Sequence, residues 1–455
     1  MIQITVEEQT GHRTLYAEEG SLLLSVLQQA GIRQEAPCGG RGTCGGCKVW
    51  IEGTGEVLAC QYPLREDIRI RLQQKEEIQA VLTEKADGIK KNRETGLVGA
   101  AVDIGTTTLG FALCNLDTGD VLAQWGCENH QRAYGADVAS RILACETKEG
   151  LECLKRLIWE DIKEGIEQLL NRTDIQPQQM KKMVITGNAV MLHILQGISP
   201  KTMGYAPFQV PKREAAVWQE HDCEILLYPH AGAFVGGDII AGIDYLKMQE
   251  REEITLLIDL GTNGEMVLGN RHKLLATAAA AGPAFENCFR SSGTMGSKVL
   301  ELLVLWARRK AIGKDGLLNL PYREKGIPLG QGHAIRQEQI REIQLAKGAI
   351  RAGIELLIRE YGCQMTDISH IYLAGGFGFY LNQQAAYAIG LLPKEFEGRI
   401  EVMGNLSLKG GLNACMEKQK EETLNALAQK VRCLNLAELD GFEEIYLREI
   451  SYIRK

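Results

Sequence analysis

Four cysteines crowd into the first 60 residues with the spacing C-x5-C-x2-C-x12-C: Cys38, Cys44, Cys47 and Cys60. Five of the seven residues interleaved between Cys38 and Cys47 are glycines. Thiolates bind metal, and glycines let a loop bend tightly around a cluster and turn its N–H groups toward the sulfurs. Three thiolates from one loop with a distant fourth is the pattern of a [2Fe–2S] centre. A zinc ribbon would show two separate C-x2-C knuckles, and a structural zinc site on the same four thiolates is the alternative. The other nine of the 13 cysteines are scattered singly and read as small apolar core groups.

A second set of residues points to phosphate chemistry. In D-I-G-T-T-T (103–108) a carboxylate, Asp103, ends an apolar run; Gly105 then allows close backbone approach, and Thr106, Thr107 and Thr108 offer hydroxyl and N–H groups. D-L-G-T-N-G-E (259–265) repeats the device with Asp259, Gly261, Thr262, Asn263, Gly264 and Glu265. Asp103 and Asp259 are suited to hold Mg2+ through water, because Mg2+ keeps several of its waters. The two loops lie in related stretches, 99–123 and 255–278, each an apolar strand ending in Asp, then Gly-Thr, then two further strands. This predicts a duplicated α/β half with a nucleotide between the copies. A third glycine cluster, Gly375, Gly376 and Gly378, follows the predicted strand Ile371–Leu373 and is suited to an adenosine ring lying against backbone. No G-x-x-x-x-G-K-[ST] P-loop is present.

The elements that must position these residues are readable from periodicity. Ile2, Ile4 and Val6 alternate into a hairpin with Thr14 and Tyr16. A helix is predicted from Ser21 as N-cap to Gly31 as stop, then strands at 48–51 and 68–72. Residues 73–96 are charged and read as a linker. Amphipathic helices are predicted at 151–171 and 338–361 among alternating strands. The length of 455 residues fits roughly three units. The division is 1–72, 73–96, 97–215 and 216–455. A net charge of −7 and 6% aromatics argue against nucleic acid. No apolar run reaches membrane-spanning length and the N-terminus carries no signal-peptide pattern, so a cytoplasmic protein is expected.

The run C-G-G-R-G-T-C-G-G-C with Leu58–Gln61 resembles adrenodoxin-type and plant-type ferredoxins. The three glycine loops in their order resemble the acetate kinase, sugar kinase, heat-shock chaperone and actin superfamily. Joined on one chain, and accompanied by Thr186–His193, Phe234–Asp238, Ala280–Glu286, Gln344–Ile350 and Gly404–Leu408, they resemble the reductive activators of corrinoid enzymes over essentially the whole chain. After Glu286 the chain departs from the Gly-Met-Arg-Ala stretch usual in that family.

The resemblance implies an α/β multidomain protein: a β-grasp [2Fe–2S] ferredoxin domain, a short linker and a duplicated actin-like, ribonuclease H-like ATPase domain. It implies an ATP-dependent activator that passes one electron from its cluster to an inactive Co(II) corrinoid protein, restoring Co(I). The cofactors would be [2Fe–2S], ATP and Mg2+. The partners would be a methyltransferase corrinoid protein and an upstream low-potential donor, with homodimer formation left open. It adds Asn188, Asp238 and Gly282 to the nucleotide site and gives Asp103, Asp259 and Glu265 catalytic roles. Lys347, on the long helix, reads as a solvated charge or a group meeting phosphate or ribose. The alternatives are an ATP-driven donor to another low-potential metalloenzyme and a non-catalytic nucleotide-binding redox sensor.

Overall fold

A computed structural model of the chain describes residues 1–8, 11–30, 32, 34, 36, 40, 42, 47–72, 96–261, 263–281, 296–330, 333–418 and 420–451. The predicted linker falls almost entirely outside these residues, as do Cys38, Cys44, Thr262, Gly282 and the stretch after Glu286.

The N-terminal unit is a five-stranded sheet in the order β2-β1-β5-β3-β4, with β1 (Ile2–Glu8), β2 (Gly11–Ala17), β3 (Lys48–Ile51), β4 (Gly55–Leu58) and β5 (Ile68–Leu72). β1 is antiparallel to β2 and parallel to β5. Period-2 alternation sends Ile2, Ile4 and Val6 inward against Leu23, Leu24 and Leu27 of the helix Leu23–Gln29. Ser21 does not cap that helix. Its backbone is spent on a turn and a short ladder instead: Ser21 N–H donates to Glu18 O and Leu64 N–H to Ser21 O, which leaves Leu22 at the cap with no side-chain bond.

The rest of the chain builds two six-stranded sheets. The first has the order β10-β11-β9-β6-β7-β8, from β6 (Val98–Ile104), β7 (Thr108–Asn115), β8 (Val121–Glu128), β9 (Met180–Gly187), β10 (Ala216–Glu220) and β11 (Cys223–Leu227). The second has the order β18-β17-β12-β13-β14-β19, from β12 (Ile254–Leu260), β13 (Gly264–Gly269), β14 (Leu274–Ala279), β17 (Ile368–Ala374), β18 (Ile400–Gly404) and β19 (Val431–Cys433). A small hairpin, β15 (Ile327–Gly330) with β16 (His333–Ile335), lies outside both.

The sheets share one plan. β6-β7-β8 and β12-β13-β14 are antiparallel meanders, β6 and β12 each pair in parallel with β9 and β17, and those in turn with β11 and β18. The duplication read from the two Asp-Gly-Thr stretches is present as two copies of one sheet. β6 and β12 are nearly all apolar because helices cover both faces of each sheet. The helix Lys148–Thr173 lays Leu151, Leu154, Ile158, Ile162 and Leu169 on the first sheet, and Gln337–Tyr361 lays Ile343, Ile350, Ile354 and Leu357 on the second. A division after residue 215 would separate β10 and β11 from the sheet they pair with; the second sheet begins only at Ile254.

Lys347 is not solvated. It is buried on the long helix, and its Nζ donates to Glu449 O at 2.6 Å and to Ser451 O. The helix Phe442–Glu449 folds over that position and offers its end carbonyls to the ammonium.

The helix Leu406–Met416, which follows β18, crosses to the first sheet and packs against the helix Gly237–Tyr245. A Cβ on Gly410 would lie 2.4 Å from Ala241 O, and one on Gly411 3.0 Å from Ala101 Cβ. Gly410→Ala is therefore expected to cost about 1–3 kcal/mol through overpacking, seen as a lower melting temperature in calorimetry. An unchanged melting temperature would show that these two helices do not approach so closely.

Candidate functional site

The two Asp-Gly-Thr loops sit at equivalent ends of β6 and β12. Asp103 stands opposite Gly110 across the β6–β7 ladder, and Asp259 stands opposite Glu265 across β12–β13. This register explains why one copy has a second acid and the other does not. The missing side chain at Gly110 opens space for Asn405 and Leu408: a Cβ there would lie 3.5 Å from Asn405 Nδ2 and 3.0 Å from Leu408 Cδ1. Asn405 Nδ2 donates to Asp103 Oδ2 at 2.8 Å, and Ser407 Oγ donates to Asp103 Oδ1 at 2.8 Å. Ser407 also meets Thr186 Oγ1 at 2.7 Å, and Thr186 donates to Val102 O. Asp103 is thus gripped by the Gly404–Leu408 stretch, which follows the edge strand of the second sheet. Sequence reasoning marked that stretch only as a family motif; an Asn and a Ser following a strand-end glycine were the available signal.

Four carboxyl groups crowd this place. Burial raises Asp103, against the lowering hydrogen bonds of Asn405 and Ser407. Asp238 is pushed up to about 7 by burial and by the charge of Asp103. Asp259 is pushed up to about 8 by burial and by the charges of Asp238 and Asp103. Glu265, also buried, is raised well above the carboxylate range by burial and by Asp238 and Asp259. Carboxylates crowded together with little solvent each disfavour the others' charge, and a cation between them reverses that. The residues present therefore fit a Mg2+-bound polyphosphate on the chemistry of the donor set alone.

The other predicted positions divide into groups. Gly105 makes a tight turn, its N–H donating to Thr108 O at 3.0 Å, with Thr106 buried and Thr107 and Thr108 half-buried beside it. Gly261 N–H likewise donates to Asn263 O. Gly375 has φ +84°, and a Cβ there would lie 2.4 Å from Leu260 O and 2.5 Å from Asp259 Oδ1, so the third loop runs directly against the second acid. Gly376 faces open space. Gly264 and Gly378 are packing positions, against Ile350 and Leu373. Asn188 accepts from Val190 N–H and caps the helix Ala189–Gln196. His193, buried on that helix, bonds Ala189 O through Nδ1. Asp238 lies in the first turn of its helix and accepts from Ile239 N–H, so it joins the acid cluster and serves the helix start together.

In the N-terminal unit Cys47 and Cys60 are buried, and Ala59 N–H donates to Cys47 O at 2.8 Å, tying the two thiols' segments together. Gly40 has φ +81°, and a Cβ on it would lie 3.9 Å from Cys60 Cβ, so this glycine sits beside Cys60. This cradle fits a cluster shared with Cys38 and Cys44, which lie outside the described residues.

Comparison with known proteins follows the same division. Residues 1–75 match the 2Fe-2S iron-sulfur cluster binding domain, 98–251 the RACo middle region, and 253–300 with 314–455 the C-terminal ASKHA domain of RACo. The chain is 25% identical to the corrinoid activation enzyme RamQ of Eubacterium limosum, over 95% of this chain and 96% of that one. It is 25% identical to the [Co(II) methylated amine-specific corrinoid protein] reductase of Methanosarcina barkeri, over 78% and 77%. A solved reductive activator for corrinoid, iron-sulfur protein has the same fold, with a TM-score of 0.71, 23% identity, and 99% and 98% coverage. Among the described residues no helix is long and apolar enough to cross a membrane.

The acid cluster makes a prediction about stability. Asp259 titrates near 8 in the folded chain, against roughly 3.9 when unfolded. Its burial therefore costs stability progressively as pH rises from about 4 to about 8, and in full above that. Asp259→Asn removes the cost. Without nucleotide or Mg2+ this variant is expected to melt higher than the native chain, by ~2 °C or more at pH 8 and by less at pH 5. A lower melting temperature at pH 8 would contradict the assignment.

Proposed function

As the chain belongs to the RACo family of reductive activators of corrinoid proteins, we propose that it is an ATP-dependent activator that returns an inactive Co(II) corrinoid protein to Co(I) in a one-electron step. The observation that carries this is the set of four crowded acids drawn from both copies of one sheet and the helix Gly237–Tyr245, with Asp103 of the first copy held by Asn405 and Ser407, which follow β18 of the second. A four-cysteine unit stands on the same chain. Bound by Cys38, Cys44, Cys47 and Cys60, the [2Fe–2S] cluster supplies a one-electron carrier.

The chain's own residues do the rest. Asp103 and Asp259 would hold Mg2+, with Asp238 and Glu265 completing the negative surround. Gly105 to Thr108 and Gly261 to Gly264 bind phosphate from opposite sides, and Gly375 with Gly376 approaches the adenosine. Because Asp103 is fixed by residues that follow the edge strand β18 of the second sheet, a nucleotide drawn between the acids favours the closed arrangement of the two halves. Closure has an energetic purpose. A one-electron transfer costs about 1.4 kcal/mol for each ~59 mV uphill, and plant-type centres lie near roughly −400 mV. An acceptor a few hundred millivolts lower needs a bound state in which its potential is raised. The division into a ferredoxin unit at 1–72, a tether at 73–96 and two lobes belongs to this proposal, with the boundary between lobes moved from 215 to about residue 250. So do the cytoplasmic setting, the upstream low-potential donor and the homodimer.

The test is the Co(II) EPR signal of a corrinoid methyltransferase subunit mixed with this protein and a reductant. The signal is expected to disappear with Mg2+ and ATP and to persist without them; equal loss without ATP would overturn the coupling. In the same assay Asp103→Ala is expected to lower Mg2+-ATPase turnover and signal loss together by about a hundredfold or more.

A further inference from the structure

The carbonyl side of the first phosphate loop is held by a single neighbouring segment. Asn129 Nδ2 donates to Gly105 O at 2.9 Å, Arg141 Nη2 to Thr106 O, and Asn129 N–H to Thr107 O at 2.9 Å. Three successive carbonyls of the loop that would face phosphate are thus taken up from behind by residues 129–141.

That segment is braced on every side. Arg141, fully buried, also bonds Gln131 Oε1 at 3.1 Å and Gly135 O at 3.1 Å. Gln131 Nε2 donates to Leu154 O at 2.8 Å. His130 N–H donates to Asp161 Oδ2 at 3.1 Å, and the His130 ring Nδ1 bonds the other oxygen of that buried carboxylate. The short turn His130–Ala133 is therefore locked to the helix Lys148–Thr173 at one side and to the phosphate loop at the other.

Its far end touches the ferredoxin unit. Gln28 Nε2 donates to Ala133 O at 2.9 Å, across 105 residues of chain. Gln28 lies on the helix Leu23–Gln29, whose start is tied to the Cys60 segment: Leu23 N–H donates to Tyr62 O, and the helix packs on Ala59–Gln61. From Gly105 to Cys60 the chain thus runs through one turn and one interdomain hydrogen bond.

We propose that the turn His130–Ala133 is the docking surface for this chain's own ferredoxin helix, and that Gln28 is the positioning residue by which nucleotide occupancy of the first loop reaches the cluster-bearing unit. The inference rests on the nucleotide role proposed above and specifies its route. When phosphate draws on the backbone of 105–107, the three carbonyl bonds carry the displacement into the turn, and the carbonyl of Ala133 moves against Gln28.

Amide hydrogen exchange of the full-length holoprotein, with and without Mg2+ and a non-hydrolysable ATP analogue, tests this. In the native protein the nucleotide is expected to change exchange in residues 23–30 by about fivefold, the worth of one hydrogen bond. Gln28→Ala should abolish that change, and Gln28→Arg, which keeps a donor, should restore it. By linkage, Gln28→Ala should shift nucleotide affinity by no more than that same factor of about five, and Gln28→Arg should return it toward the native value. A nucleotide response that survives Gln28→Ala, or is missing from the native protein, overturns the route. If the native protein still loses the Co(II) signal only with ATP, the failure is confined to this inference; if ATP dependence itself is missing, the functional reading falls.

Discussion

Four carboxyl groups crowded together disfavour one another's charge unless something positive stands between them. Asp103, Asp238, Asp259 and Glu265 come from four separate elements, and only the folded chain brings them together. Each is raised chiefly by burial, and three of them further by the charge of the others. A cation among them would lower all four. On the proposed function, the two glycine-threonine loops would bring one in bound to phosphate. Burial that costs stability in one state thus becomes binding energy in another.

The duplication of the sheets makes this arrangement economical, and its asymmetry makes it directional. In the second copy the residue across from the strand-end acid is Glu265; in the first it is Gly110. The vacated space is filled by Asn405, so the acid of the first copy is held by a residue that follows the edge strand β18 of the second. Gly375 presses the third loop onto Asp259 in the same manner. Each acid therefore reports on a neighbouring segment as well as its own strand, and the helix Leu406–Met416, seated against Ala101 and Ala241 through Gly410 and Gly411, couples the two sheets mechanically.

Much of this was legible in the sequence because the signals are local. Alternating Ile2, Ile4 and Val6, the strands at 48–51 and 68–72, and the strand-end Asp-Gly-Thr pair each depend on a few adjacent residues. The long helices extended the predicted 151–171 and 338–361 by only a few positions. What escaped were partners set by tertiary contact. Ser21 has a capping side chain but spends its backbone on Leu64. Lys347 looks like a surface charge until the C-terminal helix is laid over it. β10 and β11 follow a long loop and join the sheet behind them rather than the one ahead. The role of Asn405 and Ser407 depends on residues some 300 positions away, which no spacing rule reaches.

The central claim is that a cation carried on nucleotide relieves the crowded acids. Its most direct measurement is the proton count on binding, from titration calorimetry at pH 7 in buffers of different ionisation enthalpy. Groups that titrate near 7 and 8 hold protons at that pH. Mg2+-bound ATP should therefore release protons as the cation lowers them, whereas ATP without Mg2+, adding only negative charge, should take protons up. An identical proton count with and without Mg2+ would contradict the account.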